Sequence, residues 1–431
     1  MLIRALYDFY RLKRNLSLSQ DELIEKQRKM LVAVVKQAYE NVPFYHRKFD
    51  AAGIKPSDIR SVEDLRRIPS TRKQEIQSSQ PQDMLASNVK IEDCVHEKTT
   101  GSSGRPLHIY LNKSASDYRF AVMARAYWEN GLRPWHKMVH METSSAARGT
   151  VDPRFRGVVR RLSIARTDPV AEQLKIFEEY KPDFIMSNPS SLAPIANMRK
   201  DRKLNFRPQL ILTGSELLLP DEAKLIRRVF DCDSVDDYGS HELGPMSWEC
   251  REHVGYHVNV DNVVLEFLDK DGENVAPDEQ GNIVCTSLVN YSMPFIRYHI
   301  DDKGIPSDEK CPCGRPLPLM KIIEGREDDF LTTTDGRIIS PLVLSMLWYI
   351  GNPDVTQFRI VQESRDRLTI QLEGLKTSLS KETMNSARSM IAEILGQDMQ
   401  VEFQLVDKIE QDAGGKLRKI VSRLVQPPPV S

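Results

Sequence analysis

Between about residues 116 and 238 short apolar runs alternate with helix-length segments, and this alternation narrows the possible folds more than any other feature. Strands are expected at Met138–Met141, Phe184–Ser187, Gln209–Thr213 and Ser234–Tyr238. Helices are expected near Ser116–Asn130, Val170–Tyr180, Ser190–Lys200 and Asp221–Phe230, with Asp168-Pro169 opening the second. Parallel strands cannot be joined by a tight hairpin and need a crossover, usually a helix. The fold class is therefore α/β with substantial parallel pairing.

The texture changes on either side of this block. Upstream, Leu23, Ile24, Met30, Leu31, Val34, Val35 and Ala38 recur at helical spacing until Asn41-Val42-Pro43, where proline takes the preceding residue out of helical geometry. After about residue 255, Val263–Leu268 and Gly281–Ser287 flank a turn rich in Asp and Gly and read as antiparallel strands. The last hundred residues form a smaller unit with strands at Gln357–Gln362, Arg367–Leu372 and Gln400–Leu405 and a helix at Lys381–Leu395. A chain of 431 residues exceeds what one core sustains, so we expect a large domain over 1–326 and a small one over 327–431.

Lys plus Arg number 60 against 61 for Asp plus Glu, a net charge of −1, which excludes a polyelectrolyte that wraps nucleic acid. No apolar run approaches the roughly 20 residues of a membrane span. The N-terminal stretch (MLIRALYDFYRLKR) has no secretory apolar region, and Asp8 argues against a transit peptide. Six cysteines are too few for a disulfide framework, so a reducing cytoplasm is the expected compartment.

Thr99-Thr100-Gly101-Ser102-Ser103-Gly104-Arg105-Pro106 places small hydroxyl residues and glycines in succession before the alternating stretch Leu107–Leu111. Such a loop can aim backbone N–H groups and hydroxyls at one spot, which suits a polyphosphate. It lacks the Gly-Lys-Ser/Thr ending of a Walker A loop. Taken with segments further along, it resembles the phosphate-binding signature of the acyl-adenylate-forming (ANL) superfamily. Thr213-Gly214-Ser215-Glu216 is similar to the strand-end turn that lies on the adenine, and Tyr238-Gly239-Ser240-His241-Glu242 to the Tyr-Gly-x-Thr-Glu motif. Arg297-Tyr298-His299-Ile300-Asp301-Asp302 resembles the stretch whose last Asp holds the ribose hydroxyls. Gly325-Arg326-Glu327-Asp328-Asp329 resembles the interdomain hinge, and Gly415-Lys416-Leu417-Arg418-Lys419 the segment that carries the catalytic lysine.

Within the superfamily, Tyr39–Tyr45 and Ile68–Lys73 resemble the helical N-terminal region of the phenylacetate–CoA ligase-like branch, which also holds CapK proteins and coenzyme F390 synthetases. Asp168-Pro169 through Leu192 looks more like the CapK side. The resemblance implies a large multi-sheet adenylate-forming domain and a small α+β mobile C-terminal domain that turns at Asp328. It implies ATP and AMP binding, Mg²⁺, a carboxylic acid substrate activated as acyl-AMP, and CoA as the thiol acceptor. A carrier-protein thiol, transfer of AMP to a hydroxyl as in F390 synthetases, a catalytically idle nucleotide-binding protein, and a homodimer are left open.

The implied roles attach to particular residues. Thr99, Thr100, Gly101, Ser102, Ser103 and Gly104 cradle the β- and γ-phosphates; Gly214, Ser215, Glu216, Tyr238, Gly239 and Ser240 line the nucleotide. Glu242 is the oxygen ligand for Mg²⁺, Asp302 binds ribose, Arg326 contacts ribose or phosphate, and Lys416 stabilises the transition state. Two positions depart from the pattern. His241 stands where Thr or Ser usually meets the phosphate, and His299-Ile300 replaces a commoner Arg-Thr pair.

Cys311-Pro312-Cys313-Gly314 sets two thiols on a tight turn, where a disulfide would be strained. With Cys250 and His257 upstream these make a thiol-rich donor set that favours tetrahedral Zn²⁺ in a structural role; His253 is the substitute for His257. Cys94, Cys232 and Cys285 are expected to be packed thiols. Arg148, Arg154, Arg156, Arg160, Arg161 and Arg166, with Asp152 as the one acid among them, form a basic strip. It reads either as a recognition surface for an acidic group or as a solvated loop and helix face.

Overall fold

A computed structural model describes residues 2–99, 107–142, 160–166, 168–199, 202–216, 218, 220–326, 331–335, 338–339, 355, 357–374, 379–410 and 417–424. The loop residues Thr100 to Gly104, Arg148, Arg154, Arg156, the hinge residue Asp328 and Lys416 lie outside them. In chain order the helices are α1 (Leu2–Asn15), α2 (Gln20–Asn41), α3 (Pro43–Ala51), α4 (Lys73–Ser78), α5 (Pro81–Met84), α6 (Lys113–Glu129), α7 (Val170–Tyr180), α8 (Pro189–Met198), α9 (Pro220–Phe230) and α10 (Lys381–Leu395). The strands that precede the antiparallel region are β1 (Cys94–Lys98), β2 (His108–Asn112), β3 (Lys137–Glu142), β4 (Arg160–Ala165), β5 (Phe184–Met186), β6 (Leu210–Gly214) and β7 (Ser234–Ser240). They are followed by β8 (Gly244–Glu249), β9 (Tyr256–Val258), β10 (Val263–Leu268), β11 (Gly281–Ser287), β12 (Tyr298–Ser307) and β13 (Leu319–Arg326). The last part contributes β14 (Leu331–Thr332), β15 (Ile338–Ile339), β16 (Gln357–Ser364), β17 (Arg367–Glu373), β18 (Gln400–Val406) and β19 (Ile420–Ser422).

Two compact units emerge: residues 1–132 with 237–323, and residues 133–236 with 324–431. In the first, α2 starts at a capping box in which the Ser19 hydroxyl accepts from Glu22 N–H and the Glu22 carboxylate accepts from Ser19 N–H. It stops at Val42, held extended by Pro43, and that proline opens α3. Its inner face buries Leu23, Leu31, Val34, Val35 and Ala38. The strands β10, β11 and β12 pair antiparallel, as do β13 with β9 and β9 with β8.

In the second unit the alternation seen in the sequence becomes a parallel set: β3 lies between β4 and β5, and β5 pairs with β6. Val139, Ile185 and Ile211 from these strands meet Phe177, Leu192, Ile226 and Phe230 from α7, α8 and α9 in one core. Burial of one such side chain contributes about 1.5–3 kcal/mol. The end of the chain makes its own sheet in the order β18, β17, β16, β19, with β16 and β17 antiparallel and both outer strands parallel to their neighbours. Ala387, Ile391 and Leu395 of α10 close a core with Ile360, Ile370 and Leu372.

Two expectations need correction. Arg160 and Arg161, read as part of a loop or helix face, lie in β4; Leu162 and Ile164 supply the strand's apolar positions. Cys232 and Cys285 are buried, whereas Cys94 is only half-buried, at the start of a short two-stranded hairpin.

Candidate active site and metal centre

The first unit assembles its motif residues on β7, β8, β12 and the β1–β2 hairpin. Thr99 closes the neck of the glycine-rich loop: its N–H donates to the Leu107 carbonyl at 3.0 Å, and its hydroxyl accepts from Leu107 N–H at 2.9 Å. Gly239 and Gly244 allow the β7–β8 turn. A Cβ on Gly239 would stand 2.5 Å from the Gly244 carbonyl oxygen, and Gly244 has φ +72°. Ser240 Oγ accepts from Leu243 N–H at 3.1 Å, so it holds the turn that presents His241 and Glu242.

Two hydrogen bonds tie the motifs together. Tyr238 donates its hydroxyl to Asp302 at 2.7 Å, and Tyr298 donates to Glu242 Oε1 at 3.2 Å. Burial, then the neighbouring Glu242 carboxylate, push the Tyr298 hydroxyl far up, so it stays protonated and donates to that carboxylate. Glu242 is buried, and His241 is exposed with Nδ1 3.9 Å from the Glu97 carboxylate. An imidazole therefore replaces the usual small hydroxyl residue without crowding the turn.

Arg119 of α6, not singled out in the sequence, supports this turn from beneath. Its guanidinium donates to the carbonyls of His241, at 3.0 Å, and Glu242, and burial pulls its pKa down to about 10. His299 turns toward Ser70, 3.0 Å away, and burial lowers its pKa to about 4, so it is neutral near pH 7. Arg297 is structural: it pairs with Glu266 at 3.0 Å and donates to the Ile68 carbonyl at 2.7 Å.

The second unit carries the other half of the motif set. β6 ends at Gly214, and Ser215 turns the chain with φ +68°. The Glu216 carboxylate accepts from Asn188 Nδ2 at 2.8 Å and Ser190 N–H at 3.2 Å, both at the start of α8. It also accepts from Leu417 N–H at 3.2 Å, the residue directly after Lys416. Arg359 donates to the Arg418 carbonyl at 2.9 Å, and Lys419 forms an ion pair with Glu222, which is fully buried in α9. Residues 417–419 are thus each held, and neither anchor was visible in the sequence. Arg326 ends β13.

The thiol cluster follows from strand pairing. Trp248 of β8 pairs with His257 of β9, and His257 with Leu319 of β13, which brings the Cys311–Cys313 turn beside Cys250. Gly314, at φ +77°, folds its N–H back to the Cys311 carbonyl at 3.1 Å. Ligand atoms of Cys250, His257, Cys311 and Cys313 all lie within 4.8 Å of one another; Cys250 and Cys311 sulfurs are 3.6 Å apart, and Cys313 Sγ is 3.3 Å from His257 Nε2. A tetrahedral zinc with bonds of about 2.0–2.3 Å has ligand–ligand edges of about 3.3–3.8 Å, so the donor set fits that ion. His253 instead faces Glu249 at 3.1 Å. Burial lowers His257 to about 4, which keeps its imidazole neutral as a ligand must be. Burial opposes ionisation of Cys313, but hydrogen bonds around it, including those from Arg315, hold its thiol below the usual value.

Comparison with known proteins identifies the family. A family model, "CapK C-terminal domain", matches residues 331–423. A phenylacetate–coenzyme A ligase of Thermus thermophilus is 30% identical over 338 residues, 73% of each chain. Another, of Aromatoleum evansii, is 27% identical over 94% of this chain and 95% of its own. Among solved structures, a 2-hydroxyisobutyryl-CoA ligase in the postadenylation state superposes with a TM-score of 0.79 at 22% identity, over 95% of this chain and 91% of that one. With a multi-strand α/β body, a CapK-type C-terminal domain and this degree of identity, the chain belongs to the phenylacetate–coenzyme A ligase family.

Proposed function

We infer that the chain activates a carboxylic acid with ATP as an acyl-AMP, releasing pyrophosphate, and then transfers the acyl group to coenzyme A as a thioester. The observation that carries this reading is the hold on the segment after Lys416: Leu417 N–H sits on Glu216 of the strand-end turn, while Lys419 is locked to Glu222. A lysine that must meet a developing charge on phosphorus needs its backbone held at the nucleotide, since misplacement of about 1 Å costs roughly a hundredfold.

In this scheme the substrate carboxylate attacks the α-phosphorus and pyrophosphate leaves. Thr99 to Gly104 bind the β- and γ-phosphates, Tyr238 offers an aromatic face to the adenine, Gly214 and Ser215 also serve the nucleotide, and Asp302 accepts from the ribose hydroxyls. Glu216 acts as a positioning group, because its carboxylate already serves Asn188, Ser190 and Leu417. Glu242, oriented by Tyr298, would hold Mg²⁺, whose charge offsets that of the phosphates. His241 faces the α-phosphate, Arg326 the ribose or phosphate, and Lys416 the pentavalent transition state. The domains divide at 326/327, and Asp328 is the hinge for the thiol step. Cys250, His257, Cys311 and Cys313 would hold a structural zinc away from the chemistry.

Exchange of labelled pyrophosphate into ATP across an acid panel tests the first half, and release of AMP on addition of CoA tests the second. Exchange lost in Lys416→Ala is the expected result. A stable adenylylated product formed without thiol, or no exchange with any acid, would overturn the reading.

A further inference from the structure

Helix α1 has two apolar faces, and the fold uses only one. Ala5 and Leu12 are buried with Asp8 and Asn15, and Leu12 and Phe9 pack on Ala121, Val122 and Tyr118 of α6. On the opposite side Ile3, Leu6, Tyr7 and Tyr10 are 86%, 44%, 62% and 69% exposed. Their spacing of i, i+3, i+4 and i+7 makes them a continuous stripe. Ten large apolar side chains are exposed among the described residues, and four of them lie on this one helix of 14 residues. Such a concentration differs from the scattered single exposures of an ordinary surface.

The charges on the face have one sign. At about 100° per residue, Arg4, Arg11 and Arg14 flank the stripe on its exposed side. The helix's one acid, Asp8, points inward, with Arg4 at 3.8 Å and Arg11 at 3.5 Å. Lys13 is turned away to Glu129, at 3.4 Å. The outward face therefore presents aliphatic and tyrosine side chains beside three guanidinium groups and no carboxylate.

We propose that the exposed face of α1 docks on an anionic lipid surface and makes this chain a peripheral membrane protein. A second copy of the chain is a poor occupant, because self-pairing of the face brings together six guanidinium groups with no carboxylate of the face between them. An anionic bilayer supplies the missing charge. A face one helix wide can sink its aliphatic groups to the acyl boundary, leave tyrosine hydroxyls at the headgroups and let arginines reach the phosphates. This inference does not depend on the reaction proposed above.

The test is sedimentation of the full chain with mixed phosphatidylcholine–phosphatidylglycerol vesicles, with pure phosphatidylcholine vesicles alongside. Binding is expected on the mixed vesicles alone and falls as salt is raised. Ile3→Ser with Tyr10→Ser should abolish it, and Arg14→Glu should weaken it about tenfold. All these side chains point to solvent, so the variants keep the wild-type melting temperature, which serves as the folding control. No binding to anionic vesicles, equal binding by the variants, or binding to pure phosphatidylcholine as strong as to the mixture overturns the proposal. So does a dimer in sedimentation equilibrium that the same variants dissociate in the absence of vesicle binding.

Discussion

Replacing Lys419 with Met removes the cation that partners Glu222, whose side chain is fully buried while that of Lys419 is 10% exposed. Breaking one side of a buried pair costs about 3–5 kcal/mol, because the remaining buried charge loses its opposite charge. The loss falls on the docked state of residues 417–419, which the Lys419–Glu222 pair helps to hold. At about 1.4 kcal/mol per tenfold, the docked population drops by roughly two to three orders of magnitude. Pyrophosphate exchange, which in the proposed reaction needs Lys416 held at the nucleotide, should fall by about that factor. Thioester formation from supplied acyl-AMP should be unchanged. Glu222→Gln should cost less, because Lys419 keeps a path to water. Exchange equal to wild type, or both half-reactions falling together, would refute the reasoning.

Three further outcomes are expected. Metal analysis of the purified chain should give one zinc per chain, lost in Cys313→Ser together with a lower melting temperature in a thermal scan. Asp261→Asn should lower stability by about 3–5 kcal/mol in urea denaturation, because the buried Asp261 carboxylate receives Arg125 at 2.6 Å and Asn15 at 2.6 Å. Burial raises the Asp261 pKa but Arg125 overcomes it, leaving it below the usual value; its contribution is therefore present above about pH 4 and is lost as pH falls through the lower folded pKa, which a urea series against pH would record. Tyr298→Phe removes the donor to Glu242 and should lower kcat for adenylation about tenfold, with the largest effect at low Mg²⁺ in a magnesium titration.

The sequence revealed what is local and periodic. The helices at Val170–Tyr180 and Lys381–Leu395 were legible because their apolar spacing has a single reading and each ends at a turn. The parallel strands of the second unit were legible because short apolar runs lie between helices. The first helix was not, because its apolar residues divide between the core and the surface and blur the period. Buried charges were equally silent. Arg119 and Arg125 meet partners 113 to 136 residues away, and nothing near them in the chain marks those partners. The two candidate histidines could be told apart only by backbone geometry: His253 has φ +53° and faces Glu249, whereas His257 sits in β9 opposite Trp248. The motif residue Glu216 was legible as part of a turn, but not as the acceptor for the segment that follows Lys416.

The thiol cluster has a mechanical consequence. Its two later cysteines stand just before β13, the strand that runs to Arg326 and so toward the proposed hinge. In the sheet β13 lies between β12 and β9, and its ladder to β9 is only the two pairs that join Leu319–Met320 to Tyr256–His257. A metal clamped across β8, β9 and the Cys311–Cys313 turn would act as a rivet at that ladder. It would keep any strain from the proposed domain motion out of the sheet beneath.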